Sequence, residues 1–271
     1  MNKRIEEAYI LLKPKRRIVG VKLVDTQAEF ERYEATQAVA PIPYCVAVKA
    51  ASLGHAVKFT SEFSGCGGST RTLGLKEPEA DYYSGESGQK LGLYSSVKLA
   101  AEAAEKMKIC PNKIYGVVVK PIENFETEPD VVLVIADSRT CMRVVQGYTY
   151  YYGLPENISL SGNQAVCVEA TVIPHLTGKI NVSLLCSGTR YLAKWDVSEM
   201  MVGIPGKIFH QTVEGVLSTV NAVEPDDRKR ELKEQLKALG ISVERIQEGE
   251  AYYLRQEREK KLKRREKTDD K

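Results

Sequence analysis

The chain has no uninterrupted apolar run near the roughly 18 residues a membrane helix requires, so no membrane span is expected. The opening Met1-Asn2-Lys3-Arg4-Ile5-Glu6-Glu7 has no signal-type apolar segment behind it, which points to the cytoplasm. No charge dominates. A net charge of +3 is too near neutral to argue for a nucleic-acid partner from the whole chain. Histidine is scarce: His55, His175 and His210 follow no common pattern and read as ordinary helix-end or surface residues. Close cysteine pairs are missing too. Without a Cys-x₂₋₄-Cys knuckle, structural zinc is disfavoured, and no compact Cys-x₂-Cys-x₂-Cys run of ferredoxin type occurs. A Walker A lysine and the dinucleotide glycine spacing are likewise absent, so nucleotide binding has little support.

The chain does have six cysteines in 271 residues. In a reducing compartment these are free, catalytic or metal-bound rather than a disulfide framework. Four of them fall in a pattern stated twice. Cys66 sits in Gly65-Cys66-Gly67-Gly68-Ser69-Thr70-Arg71, and Cys186 in Leu185-Cys186-Ser187-Gly188-Thr189-Arg190. Upstream lie Cys45-Val46, followed by Gly54, and Cys167-Val168, followed by Gly178. Within each copy the two cysteines are 21 residues (45 to 66) and 19 residues (167 to 186) apart. Cys110 and Cys141 lie outside the pattern and read as small core residues.

The surrounding periodicity predicts an α/β fold with a mixed sheet. Strands are expected at 18–24, 55–61, 130–136, 158–161 and 180–185. Helices are expected at 27–37, 45–53, 95–108, 137–148, 163–173 and 207–220, with 77–89 a surface loop. Tyr9 to Pro14 resembles Tyr115 to Pro121, which sets the frame of two tandem copies. These are repeat 1 at 7–110 and repeat 2 at 113–223, related by a pseudo-twofold axis and packed as one globular unit. Residues 224–271 form a charged, helical tail with a leucine stripe at Leu232, Leu236 and Leu239. Its stretch 255–267 holds eight basic against three acidic residues, the sole hint of a nucleic-acid or acidic partner.

Several motifs carry a resemblance to a known family. They are Tyr44-Cys45 with Ala47-Val48-Lys49 and Gly54, Cys66 with Leu73-Gly74, Pro129-Asp130-Val131-Val132, and Ser161-Gly162. Cys167 with Glu169-Ala170, then Cys186 with Gly188 and Arg190, and Gly203-Ile204-Pro205 complete the series in order. Over residues 10–220 the chain resembles the prokaryotic domain-of-unknown-function family 169, common in archaea and anaerobic bacteria. The resemblance implies membership and an anaerobic setting, but no activity. The 224–271 tail falls outside it.

Three chemistries suit four thiols in two copies. The first is an iron–sulfur cluster, [4Fe–4S] in type, held by Cys45, Cys66, Cys167 and Cys186. Here Gly67, Gly68, Thr70, Arg71, Gly188, Thr189 and Arg190 line the cofactor, and a redox partner protein is implied. The second is a metal-free site for a small anionic ligand, with a reactive Cys66 and an Arg71/Arg190 clamp. The third is structural, with each cysteine filling a core gap and the arginines paired to carboxylates such as Glu169, or zinc.

Overall fold

Valine-rich runs broken by turn residues build the centre of the fold. In a computed structural model, which describes residues 3–111, 113–249, 251 and 255–261, they form a seven-stranded sheet. Helix α1 (Lys3–Leu12) comes first, then β1 (Val19–Val24) and α2 (Gln27–Arg32). The Thr26 hydroxyl caps α2 by accepting from the Glu29 N–H at 3.2 Å. Next come β2 (Thr36–Gln37), α3 (Tyr44–Ser52) and β3 (Val57–Thr60). Four helices follow: α4 (Gly67–Thr72), α5 (Ala80–Ser84), α6 (Glu86–Lys90) and α7 (Val97–Lys106). Strands β4 (Gly116–Pro121) and β5 (Val131–Ala136) lead into α8 (Ser138–Tyr152). A wide-turn π-helix (Ala165–Val172) runs into α9 (Ile173–Thr177), then β6 (Asn181–Ser183), α10 (Ser187–Ala193) and β7 (Met200–Pro205). Helices α11 (Gly206–Ser218), α12 (Val220–Val223) and α13 (Asp226–Ala238) complete the named elements.

These elements fall into two compact units. The larger holds residues 14–141 and 155–209 and contains the whole sheet, in the order β2-β3-β4-β1-β5-β7-β6. All pairings are antiparallel except β2 with β3. Every residue of β4 and β5 is buried, as expected for central strands covered on both faces. One face packs against α3 and the π-helix, with Val19, Val21, Val117, Val119, Leu133 and Ile135 in a common core with Tyr44, Ala47 and Val168.

The two halves of the sheet follow one plan. Each supplies a central strand (β1, β5), a cysteine-bearing helix, an outer strand (β3, β6), a second cysteine and an intermediate strand (β4, β7). Val19 pairs with Pro121 and Val24 with Gly116; in the other half Val131 pairs with Pro205 and Ala136 with Met200. The Ile122 N–H bonds the Ile18 carbonyl, and the Gly206 N–H bonds the Asp130 carbonyl, each at 2.9 Å. This arrangement corrects the frame taken from the Lys-Pro match. Residues 9–12 are helical, burying Ile5, Ala8, Leu11 and Leu12 at helical spacing, whereas 116–121 is a strand whose counterpart is β7.

Other local expectations also shift. Helix α2 stops at Arg32, because Thr36 and Gln37 are drawn into pairing with β3. The 77–89 stretch is two short helices joined at Gly85, whose φ of 81° is left-handed; a Cβ there would lie 2.2 Å from the Val97 carbonyl. Residues 158–161 are not a strand; the Asn181 side chain bonds both the N–H and the carbonyl of Ser159.

The smaller unit comprises 3–13, 142–154 and the described residues from 210 onward. Within it Arg143 is buried and fully engaged, donating to Glu224 at 2.9 Å, to Gln146 and Thr219, and to the Val216 carbonyl. Helix α13 packs on α1, burying Leu232 and Leu236, and Arg228 donates to the Ile10 carbonyl. Residues 226–238 are therefore part of a packed unit and not a solvated appendage. Residues 255–261 are helical and exposed; the rest of the basic 255–267 run lies outside the described residues.

Gly203 sets how closely the π-helix approaches the sheet, since a Cβ on it would stand 1.9 Å from the Ala170 carbonyl. We expect Gly203→Ala to cost about 1–3 kcal/mol, the range for overpacking, and to displace the helix that carries Cys167. Chemical denaturation measures the first effect. Faster reaction of Cys167 with a thiol reagent, located by peptide mapping, reports the second.

Candidate thiol site

All four cysteines of the repeated pattern begin a helix. Cys45 is the second residue of α3 and Cys167 the third of the π-helix, while Cys66 and Cys186 cap the N-termini of α4 and α10. The four come together to line one cavity of about 110 Å³. Gly68, Gly188 and Thr189 line it as expected, joined by Tyr44, Gln164 and Leu192. Cys110 and Cys141 are buried elsewhere, and burial pushes each thiol up to about 12.

Local hydrogen bonds fix the thiols. The hydroxyls of Ser69 and Thr70 and the Thr70 N–H all donate to the Cys66 carbonyl, and Ser64 donates to the Thr70 hydroxyl at 2.6 Å. In the other half the Arg190 N–H donates to the Cys186 carbonyl at 2.9 Å. The Thr189 N–H reaches Cys186 Sγ at 3.3 Å, and its hydroxyl stands 2.9 Å from the same sulfur. Tyr44 is buried between α3 and the π-helix; its hydroxyl donates to Thr171, which in turn donates to the Val166 carbonyl. The buried Glu169 carboxylate accepts from the N–H groups of Ser161 and Gly162 and from the Ser183 hydroxyl. This ties the 161–164 turn and β6 to the π-helix and leaves Glu169 with no arginine partner among these bonds.

Electrostatics couple the thiols. Burial pushes Cys45 up to about 11; the neighbouring Cys186 and Cys66 add to the rise, and a hydrogen bond to Thr189 opposes it. Cys167 is driven further in the same direction by burial and by Cys66, Cys186 and Cys45, opposed by a hydrogen bond to Thr72. Among the described residues no group of three or more His, Cys, Asp or Glu stands close enough to hold a single metal ion. None of the three histidines lines the cavity.

The arginines do something other than the sequence suggests. Arg190 donates to the carbonyls of Leu184 and Asp196 at 2.8 Å and of Glu199 at 3.0 Å, stapling together the segments on either side of α10. Arg71 pairs with Glu79 at 3.1 Å and lies over the Tyr82 ring. Neither lines the thiol cavity, nor do Gly67 and Thr70, so an Arg71/Arg190 clamp over Cys66 is not formed. Sequence reading missed Thr72, Gln164 and Thr171. Each bonds or borders a thiol-bearing helix from a position outside the cysteine motifs, so spacing gave no signal.

The raised Cys45 value sets a sign. The folded chain holds this proton above the ordinary thiol value of 9.0, so in metal-free protein its contribution to stability is full below about 9 and is lost as pH rises toward about 11. Alkylation of Cys45 in metal-free protein should accelerate across the same window. A rate that levels off below pH 8 would contradict this environment.

A family profile described as "Uncharacterised ArCR" matches residues 9–215, a span that includes all four thiols. An uncharacterized protein of Methanocaldococcus jannaschii is 25% identical over 217 residues, covering 79% of this chain and 91% of that protein. No solved structure matches the chain significantly. With most of its length matched, the chain belongs to domain-of-unknown-function family 169.

Proposed function

We propose that the four-thiol cavity binds an iron–sulfur cluster, and that the protein transfers electrons or performs cluster-dependent chemistry with a redox partner. One observation carries this reading: four of six cysteines, two from each half of the sheet, line one small cavity while the other two do not. Thiolates are soft ligands suited to iron and sulfide. A cage of several irons holds its thiolates further apart than one ion does. A cavity ringed by four thiols offers the number of soft ligands a [4Fe–4S] core takes.

In this reading Cys45, Cys66, Cys167 and Cys186 are the ligands. The cluster supplies one-electron chemistry when bound. The chain's own groups would tune it: the Thr189 N–H already points at the Cys186 sulfur, a contact that stabilises thiolate charge. Leu192 and Val166 limit water at the site.

The test is anaerobic purification with iron and acid-labile sulfide analysis. We expect about four irons per chain and a broad band near 400 nm, the usual region for thiolate-to-iron charge transfer. Serine at 45, 66, 167 or 186 should lower the iron content and the band, while Cys110→Ser and Cys141→Ser leave both unchanged. A colourless, iron-free protein after anaerobic reconstitution sinks the proposal.

A further inference from the structure

The four thiols are not equivalent, and they do not pair within their own half. Helix α10, capped by Cys186, packs on α3, which carries Cys45. Helix α4, capped by Cys66, packs on the π-helix, which carries Cys167. Each contact joins one half of the sheet to the other, and the side chains repeat the crossing. The Thr189 hydroxyl stands 2.9 Å from Cys186 Sγ and also hydrogen-bonds Cys45. Thr72, the last residue of α4, hydrogen-bonds Cys167 and donates to the Gly68 carbonyl at 2.8 Å. A Cβ on Gly68 would stand 3.7 Å from both Cys66 Sγ and the side chain of Gln164, where the chain turns into the π-helix. Among the sulfurs, Cys186 acts most strongly on Cys45, and Cys66 on Cys167. Interaction between charges falls with distance, so these are the neighbouring pairs.

Each pair also combines an accessible thiol with a hidden one. Cys66 and Cys186 are partly exposed, whereas Cys45 and Cys167 are buried. Burial holds the hidden thiols neutral, which leaves them inert towards reagents in solution. Cys186 has a donor for its thiolate in the Thr189 N–H at 3.3 Å. An accessible sulfur that reacts first, with a hidden one beside it to complete the reaction, is the arrangement of a reversible dithiol.

We propose that the iron-free cavity is a site of oxidation by hydroperoxides, which closes two disulfides across the halves, Cys45–Cys186 and Cys66–Cys167. The thiolate of Cys186 or Cys66 attacks the terminal oxygen of the hydroperoxide. The O–O bond breaks, a sulfenic acid forms, and the departing alkoxide takes up the proton that the thiol released. The buried thiol of the pair then attacks the sulfenic sulfur; the S–O bond breaks and water leaves with the second thiol proton. Per pair, two thiols and one hydroperoxide give one disulfide, one alcohol and one water, the two electrons passing from sulfur to the O–O bond. The inference rests on the cluster reading for its consequence: the oxidised cavity has no thiolate left for iron and must be reduced before a cluster is inserted.

The test adds hydrogen peroxide to reduced, iron-free, full-length protein and maps the disulfides by mass spectrometry. The expected products are Cys45–Cys186 and Cys66–Cys167, with Cys110 and Cys141 left free. Cys45→Ser should leave Cys186 as a sulfenic acid that dimedone traps. Cys186→Ser should slow oxidation of Cys45 about tenfold or more, because the buried thiol then lacks its accessible partner. Disulfides within a half, Cys45–Cys66 and Cys167–Cys186, overturn the proposal, as does a chain that keeps all its thiols or passes to sulfinic acid with no disulfide. Iron uptake by the reduced chain is measured alongside. A protein that forms both crossed disulfides but never takes up iron keeps the dithiols and sinks the cluster. One that takes up iron yet forms no crossed disulfide does the reverse.

Discussion

The antiparallel pairing of β1 on β5 is the constraint on which the rest of the larger unit depends. Three residue pairs make the join: Val19 with Leu133, Gly20 with Val132 and Val21 with Val131. Because the two strands run in opposite directions, the elements that follow them are carried outward to opposite sides and return over the same face. That face receives α3 from one half and the π-helix from the other. Each half delivers two thiols, and neither half alone can ring a cavity with four. The site is thus a product of the sheet's central register. A slip of one residue would turn Val19, Val21, Leu133 and Ile135 away from the cysteine helices and scatter the thiols with them.

At the site, the two halves differ in the helix that carries the first cysteine. In the first, an ordinary α-helix carries Cys45. In the second, the helix carrying Cys167 is wound wider, its Thr171 hydroxyl reaching back five residues to the Val166 carbonyl. Wide turns of this kind are uncommon and recur at functional sites. Here the cost is offset by the Glu169 carboxylate, which gathers three donors, and by Gly203, which lets the helix backbone rest on β7. The consequence is asymmetry. Gln164 enters the cavity from the second half only and gives the thiol site a distinct wall.

Much of this was legible in the residues. The doubled cysteine patterns pointed to the four thiols that share a cavity, because Cys66 and Cys186 each stand at the N-cap of a helix, and Cys45 and Cys167 each lie in the first turn of one. The strands at 19–24 and 131–136 were visible as valine runs. The frame of the repeat was not, since Lys-Pro recurs at 13–14 and 120–121 by coincidence, and pattern alone does not distinguish a helix end from a strand end. The arginines misled for a different reason. Arg190 is held by three backbone carbonyls, and carbonyl positions are set by the fold and leave no mark in the sequence. Gln164 left no mark either, as its importance comes from a turn that depends on a carboxylate five residues on.

The absence of the arginine clamp bears on what chemistry the site favours. No lysine or arginine lines the cavity, and Tyr44, Val166 and Leu192 surround the sulfurs instead. Four thiolates there would repel one another strongly, which is why burial and neighbouring sulfurs raise Cys45 and Cys167. Metal-free, the site therefore holds Cys45 and Cys167 as neutral thiols and makes them poor nucleophiles at neutral pH. The proposed iron–sulfide core, being multivalent, would offset that repulsion, which a monovalent counter-ion cannot. The same surroundings then set the direction of the potential. In the proposed cluster-bound state, an added electron would increase negative charge in a cavity that no lysine or arginine lines, which would favour the oxidised state and a low potential. The Thr189 N–H at Cys186 moderates this on one side only.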